Sequence, residues 1–376
     1  MQKSMLHKGE EMLFALLRAS LHNIAAEEVL FKDATPQDWE KCYNTAVKQG
    51  VLALAWDGLE TLPKELHPQK PLKFRWGISV GKYEEKHRRY CKTAEELQKY
   101  YRGHGIDTVQ MKGVGLSASY NKPAHREGGD IDIYTFSADE NSMSHSQANA
   151  LADKLMQDQG NDVELHSYKH SNFYFKGIPI ENHKCFVNIK VNPTFMKKLN
   201  RLLLERLKPR MAALLDGECQ IKVPSQEFNT IFISTHALQH YGTGIALHHL
   251  YDWSIVIKEN GLNLPKEIAE TYYLRGVAAL THLANRHLGT KIGLDNFPCN
   301  YLPLADEILE EMLHPEFSVT VPYTNPVKIF AYKTRRFISH NRKMKRVFGA
   351  SLPKQIWGSI LAHIKNPATI FDRGEK

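Results

Sequence analysis

The stretch "MKGVGLSASYNKPAHREGGDIDIY", Met111 to Tyr134, places Asp130 and Asp132 one residue apart behind a pair of glycines, with a Lys112-Gly113 turn ahead of them. Two like charges this close repel, so a fold keeps them together only where a cation sits between them or water screens both. In "GDIDIYTF" the isoleucines Ile131 and Ile133 alternate with the aspartates, which predicts a strand. Strand side chains alternate between faces, so Asp130 and Asp132 share one face and Ile131 and Ile133 the other. One face is then apolar core and the other a two-carboxylate surface.

Working outward, "IDTVQMKG" reads as a short strand ending at Lys112-Gly113, and "VGLSASY" as the opening of a helix. Downstream, "MSHSQANALADKLMQDQG" predicts a helix covering the apolar face. "SNFYFKGIPIENHKCF" predicts a hairpin turning at Lys176-Gly177. Glu181 lies on its second arm, and His183, two residues on, shares the face of Glu181. Upstream, Tyr83, His87, Tyr90, Ala94, Leu97 and Tyr101 recur at steps of four and three, a helical stripe that the glycines of "RGHGID" stop. The first hundred residues read as helices. Beyond "VNPTF" the chain reads as helical again, most strongly in "EFNTIFISTHALQHY" and "IALHHLYDWSIVIKENG".

These elements predict an α/β (α+β) fold: a core with a small mixed sheet and helices, flanked by N-terminal helices and a C-terminal helical domain. At 376 residues the chain is long enough for two or three domains. The expected divisions are an N-terminal helical region at 1–104, a catalytic core at 105–195, a helical domain at 196–326 and a basic tail at 327–376. No apolar run reaches the length of a transmembrane helix, and "MQKSMLHKGEEMLFALLRASLHNIAAEE" lacks the pattern of a signal peptide. The five cysteines are scattered without a CxxC pair, which argues against a zinc site or a disulfide framework. The expectation is a cytoplasmic protein. The net charge of +8 is uneven: residues 328–376 hold 12 Lys/Arg against 2 Asp/Glu, and the rest of the chain is slightly acidic. Such a segment suits nucleic acid, an anionic membrane surface or an acidic part of the same protein.

A glycine turn before a helix, an Asp-x-Asp strand and a third carboxylate on a neighbouring strand together suit phosphoryl chemistry on a nucleotide. Divalent ions need several hard oxygen ligands, and a helix start offers amides to phosphate oxygens. The same stretch resembles the signature of the uncharacterised nucleotidyltransferase family, a branch of the DNA polymerase beta superfamily of nucleotidyltransferases. The matching residues are Lys112-Gly113, Tyr120 with Pro123, Arg126, and Gly129-Asp130-Ile131-Asp132. The resemblance continues at "FKGIPIENH", with Glu181 as third carboxylate and His183 beyond it, and at "HALQHYGTGIALHHLYDW", with His236, His240, Gly244 and Asp252. It departs at Gly113-Val114, where the superfamily has Gly-Gly or Gly-Ser, and in the longer gap from that turn to Asp130.

The resemblance implies Mg²⁺-dependent transfer of a nucleoside monophosphate from an NTP, ATP among them, to an acceptor hydroxyl, with release of pyrophosphate. Asp130, Asp132 and Glu181 would be the catalytic carboxylates and the ligands of two Mg²⁺ ions. Lys112, Gly113, Arg126 and Asp252 would hold the nucleotide. Plainer readings stand beside these. Lys112-Gly113 is also an ordinary strand-to-helix turn, Arg126 can pair with a carboxylate instead of a phosphate, and His183 can be a ligand or a packed histidine. His236 and His240, at i and i+4, have a metal-binding spacing but no third ligand in the motif, which favours structural histidines. Two further functions fit: a catalytically silent nucleotide-binding protein on the same fold, or a nucleic-acid or membrane-surface adaptor acting through the basic tail.

Overall fold

A computed structural model describes residues 6–139, 142–318 and 320–351; the part of the expected tail beyond 351 lies outside them. The N-terminal region is helical as predicted: α1 (Lys8–His22), α2 (Pro36–Lys48), α3 (Leu52–Leu59) and the long α4 (Lys70–Arg102). Local chemistry starts these helices. At α2 the Thr35 hydroxyl accepts from the Asp38 amide, the Asp38 carboxylate accepts from the Thr35 amide, and Pro36 opens the first turn. That arrangement satisfies amides which a helix start otherwise leaves open. The buried stripe of α4 includes His87, Tyr90, Ala94, Leu97 and Tyr101, the period seen in the sequence.

The core follows as β1 (Ile106–Gln110), the single turn α5 (Val114–Ser117), β2 (Ile131–Ser137), α6 (His145–Asp158), β3 (His170–Phe175) and β4 (Ile178–His183). Their sheet runs β1-β2-β4-β3, antiparallel at both outer pairings and parallel between β2 and β4, so it is small and mixed. Ile131, Ile133, Ile180 and Phe173 form its apolar face. Tyr90, Ala94, Leu97 and Tyr101 of α4, with Ala148, Ala152 and Met156 of α6, close over that face in one buried cluster. Burying each large apolar side chain contributes about 1.5–3 kcal/mol, so this face is strongly committed to the interior. The polar face is thereby turned toward the rest of the molecule.

Next come α7 (Pro193–Arg206), β5 (Arg210–Leu214), β6 (Cys219–Val223), α8 (Gln226–His240), α9 (Leu247–Asn260), α10 (Thr271–Leu283), α11 (Leu302–Leu313) and α12 (Pro326–Phe348). The hairpin β5–β6 corrects the expectation of continuous helix beyond "VNPTF". Leu215, Asp216 and Gly217 all take positive φ, which forces a left-handed turn, and Asp-Gly is a hairpin signal. The hairpin is fastened to α4, where Glu95 and Gln98 accept from the amides of Gln220 and Lys222. A second, larger apolar cluster runs from α1–α3 into α7–α11, so the two helical regions share one core.

The basic segment from residue 328 to 348 belongs to α12. Ile329, Met344, Val347 and Phe348 are buried, Arg346 pairs with Glu307 of α11, and Lys343 Nζ lies 2.7 Å from Glu311. Phe330 and Ile338 stand exposed. Among the described residues, no helix is long and apolar enough to cross a membrane.

Candidate active site

The parallel register sets Asp132 of β2 directly beside Glu181 of β4. His183 is two residues further along β4, and the antiparallel register puts His170 of β3 opposite it. Asp132 is fully buried in mid-sheet. Its Oδ1 lies 2.9 Å from His183 Nε2, and the same nitrogen is 3.4 Å from Glu181 Oε2. One ligand atom from each of Asp132, Glu181 and His183 comes within 4.8 Å of the others, a spacing that can hold a metal ion. Asp130 precedes the first residue of β2 and is more open, its side chain 32 % exposed. Burial and the neighbouring Asp132 charge push its carboxyl up to about 6. Burial would also lift Asp132, but the Lys112 charge and the His183 bond outweigh it and hold that carboxyl well below the usual range.

Lys112 supplies the internal cation. Its Nζ is 2.8 Å from Asp132 Oδ2 and 3.7 Å from Asp130 Oδ1, so it stands between the two aspartates. Asp132 Oδ2 is otherwise without a hydrogen-bond partner. Burial opposes the ammonium charge, yet Asp132 and Asp130 overcome that and hold the Lys112 pKa above its ordinary value. Backbone geometry fixes the position of this side chain. Gly113 takes φ +55 and ψ −121, a conformation that side chains disfavour, and a Cβ on Gly115 would lie 2.1 Å from the Gln110 carbonyl oxygen. Both glycines are therefore demanded by the turn. The helix after it is only one turn long, and the Gly115 amide donates back to the Lys112 carbonyl. A cleft beside the turn is lined by Tyr83, Lys86, Tyr90, Gly113, Arg126 and Asp130.

Arg126 and Asp252 meet each other. The guanidinium grips the carboxylate with Nε to Oδ1 at 3.0 Å and Nη2 to Oδ2 at 2.7 Å, and both side chains are nearly fully buried. The Tyr120 hydroxyl donates to the same carboxylate. This bidentate pair ties the loop between α5 and β2 to α9 in the helical region. Of the residues predicted to hold the nucleotide, Lys112 and Gly113 thus border the carboxylates, whereas Arg126 and Asp252 are engaged with one another.

The description "uncharacterised nucleotidyltransferase" matches residues 35–289, about two thirds of the chain. The chain belongs to that family. No curated protein and no solved structure matches it. The match spans the long helix, the sheet, the carboxylates and the histidine-bearing helices of this nucleotidyltransferase family member.

Those histidines form a second group. His236 and His240 of α8 come together with His249 of α9, with ring centroids 4.5 Å apart for His236–His240 and for His240–His249, and 5.4 Å for His236–His249. The third partner that the sequence lacked arrives from the next helix, across a loop that only the fold closes. Burial holds His236 and His249 well below the ordinary histidine value and His240 at about 4, so all three are neutral near pH 7. His249 Nδ1 accepts from the Ala246 amide, which places its proton on Nε2. In that tautomer Nε2 donates and is no ligand. His170 joins the carboxylates with no sequence motif to mark it. Its Nε2 lies 3.7 Å from Glu181 Oε2, a contact set by the hairpin register.

Proposed function

We propose that this nucleotidyltransferase catalyses divalent-metal-dependent transfer of a nucleoside monophosphate from an NTP to an acceptor hydroxyl, releasing pyrophosphate. The observation that carries the reading is the register of β2 on β4, which aligns Asp132 with Glu181 while Lys112 bridges Asp132 to Asp130. Converging donor atoms of Asp132, Glu181 and His183, all within 4.8 Å of one another, fit a divalent cation. Asp132 and Glu181 would hold one ion, and Asp130 with Asp132 the second of the Mg²⁺ pair expected of the family. Bound there, the metal supplies positive charge for the triphosphate and lowers the pKa of the acceptor hydroxyl.

The chain's own groups do the rest. Lys112 exchanges its aspartates for a triphosphate oxygen when the nucleotide enters beside the Lys112-Gly113 turn. Glu181, a quarter exposed, faces the acceptor side and takes its proton. The acceptor oxygen bonds to the α-phosphorus in line as the bond to the pyrophosphate oxygen breaks. Arg126 and Asp252 position the turn and do not touch phosphate. Exposed Lys328, Arg335, Arg342 and Lys345 on α12 support an anionic acceptor, whose modification would weaken as salt rises.

A second reading, a silent nucleotide-binding protein, is favoured by the same Lys112, since an ammonium already neutralises the aspartates. Incubation with each α-labelled NTP, Mg²⁺ or Mn²⁺ and a cell extract separates the two. Transfer of label to an acceptor by the native protein and not by Asp132→Asn is the expected outcome. Nucleotide binding without label from any NTP would leave the silent reading.

A further inference from the structure

We infer that His183 is a direct metal ligand, so that the ion beside Glu181 sits in a mixed set of two carboxylates and one imidazole and is a transition-metal ion of the Mn²⁺ to Zn²⁺ class in preference to Mg²⁺. This rests on the metal-dependent reading above and specifies one of its two sites. The ring is fully buried, and its Nδ1 lies 3.3 Å from the Cys185 carbonyl oxygen. A carbonyl only accepts, so Nδ1 carries a proton; a second proton on Nε2, donated to Asp132 Oδ1, is what a metal ion would replace, leaving the Nε2 lone pair to the ion. That nitrogen points at Asp132 Oδ1 at 2.9 Å and Glu181 Oε2 at 3.4 Å. Three lone-pair donors therefore converge on one small volume. Only a proton or a cation reconciles them, and an imidazole whose other N–H is anchored on a backbone carbonyl is the ordinary arrangement of a metal-binding histidine.

The surroundings agree. From β3, His170 faces the same Glu181 with its ring centroid 5.3 Å from that of His183, and from the turn Lys112 holds the other oxygen of Asp132. Lys112 thus occupies the Asp130 side of Asp132 and leaves the His183 side to a second cation. A nitrogen donor raises affinity along the series from Mn²⁺ to Zn²⁺ far more than it does for Mg²⁺, which prefers an all-oxygen shell.

The test is pulsed electron paramagnetic resonance on the full chain loaded with one equivalent of Mn²⁺. Native protein should show the modulation of a directly bound ¹⁴N, altered on ¹⁵N-histidine labelling. His183→Asn should lose it and bind Mn²⁺ about 10–100-fold more weakly, with a smaller loss for Mg²⁺. The native spectrum decides the matter even if the variant folds poorly. Stoichiometric Mn²⁺ binding that Asp132→Asn abolishes, but with no ¹⁴N coupling in native protein, would overturn the ligand and leave the metal-dependent reading intact. Coupling that persists in His183→Asn would also overturn it, by pointing to His170 or another ring. Failure of native protein to bind Mn²⁺ at all would sink both.

Discussion

Replacing Lys112 by methionine keeps the length of the side chain and removes its charge, and the outcome separates the two roles assigned to it. Nζ stands 2.8 Å from Asp132 and 3.7 Å from Asp130, and the lysine side chain is only 15 % exposed. At an effective dielectric of about 20, charges about 3 to 4 Å apart attract by roughly 4–5 kcal/mol, much of which desolvation offsets. Removing one partner of a buried pair costs about 3–5 kcal/mol; because His183 still faces Asp132, the lower end of about 3 kcal/mol is expected here. In a chain of 376 residues that corresponds to a fall in Tm of about 4 °C in the presence of a chelator. A divalent ion can then take the place of the ammonium. At about a hundred times its Kd it returns about 2.7 kcal/mol, nearly the whole deficit. An ion beside His183 adds equally to both proteins, but native protein should gain less from an ion at the Asp130–Asp132 side, which has to displace Lys112. The assay is thermal unfolding of both proteins with chelator and across a Mn²⁺ titration. Equal Tm values in chelator, or the same metal increment in both proteins, would refute the claim that lysine and metal share these carboxylates.

Asp252→Asn should destabilise the protein by about 3–5 kcal/mol, because it leaves the buried Arg126 charge without its carboxylate; denaturant titration measures this, and Arg126→Met with Asp252→Leu together should cost less than the two single changes summed. Acid should weaken the fold between about pH 6.5 and 4. His87 and His287 are buried and each is pulled down to about 4, first of all by that burial, so protons bind the unfolded chain more readily. Their contribution is complete above the unfolded value of about 6.5 and is lost as pH falls, about 2 kcal/mol each by pH 5, which the urea midpoint at pH 7 and pH 5 reads directly. Gly115→Ala should lower NTP affinity at least as much as it lowers stability, since the added Cβ, 2.1 Å from the Gln110 carbonyl, displaces the turn that carries Lys112; calorimetric titration with nonhydrolysable NTP tests it.

The sequence made one part of this site plain because strand alternation needs no tertiary information. Ile131 and Ile133 against Asp132, and Ile178 and Ile180 against Glu181 and His183, sort core from chemistry within a few residues of chain. The strands themselves followed from the same signals. What alternation could not supply was which strands become neighbours and in what register. Asp132 meets Glu181 only because β2 and β4 run parallel at that offset, and His170 joins them only because the turn at Lys176 and Gly177 pairs it with His183. Asp216-Gly217 marks the β5–β6 hairpin, but the leucines before it continue the helical pattern of α7 and mask that signal.

Arg126 and Asp252 illustrate the complementary limit. Each is a charged residue in a motif that resembles a nucleotidyltransferase, and each was therefore expected at the nucleotide. Over 126 residues of separation they find one another in two parallel hydrogen bonds, with Tyr120 completing the carboxylate. Nε and Nη2 are committed to Asp252 and Nη1 lies 3.5 Å from the Glu127 carbonyl, so the bidentate fork is not offered to a phosphate while the pair stands. The pair acts through position, locking the loop that leads into Gly129 and Asp130 against α9, the helix that also carries His249. The carboxylates and the histidine cluster are thereby held by one strut, so a change at Asp252 should move both groups together and neither alone.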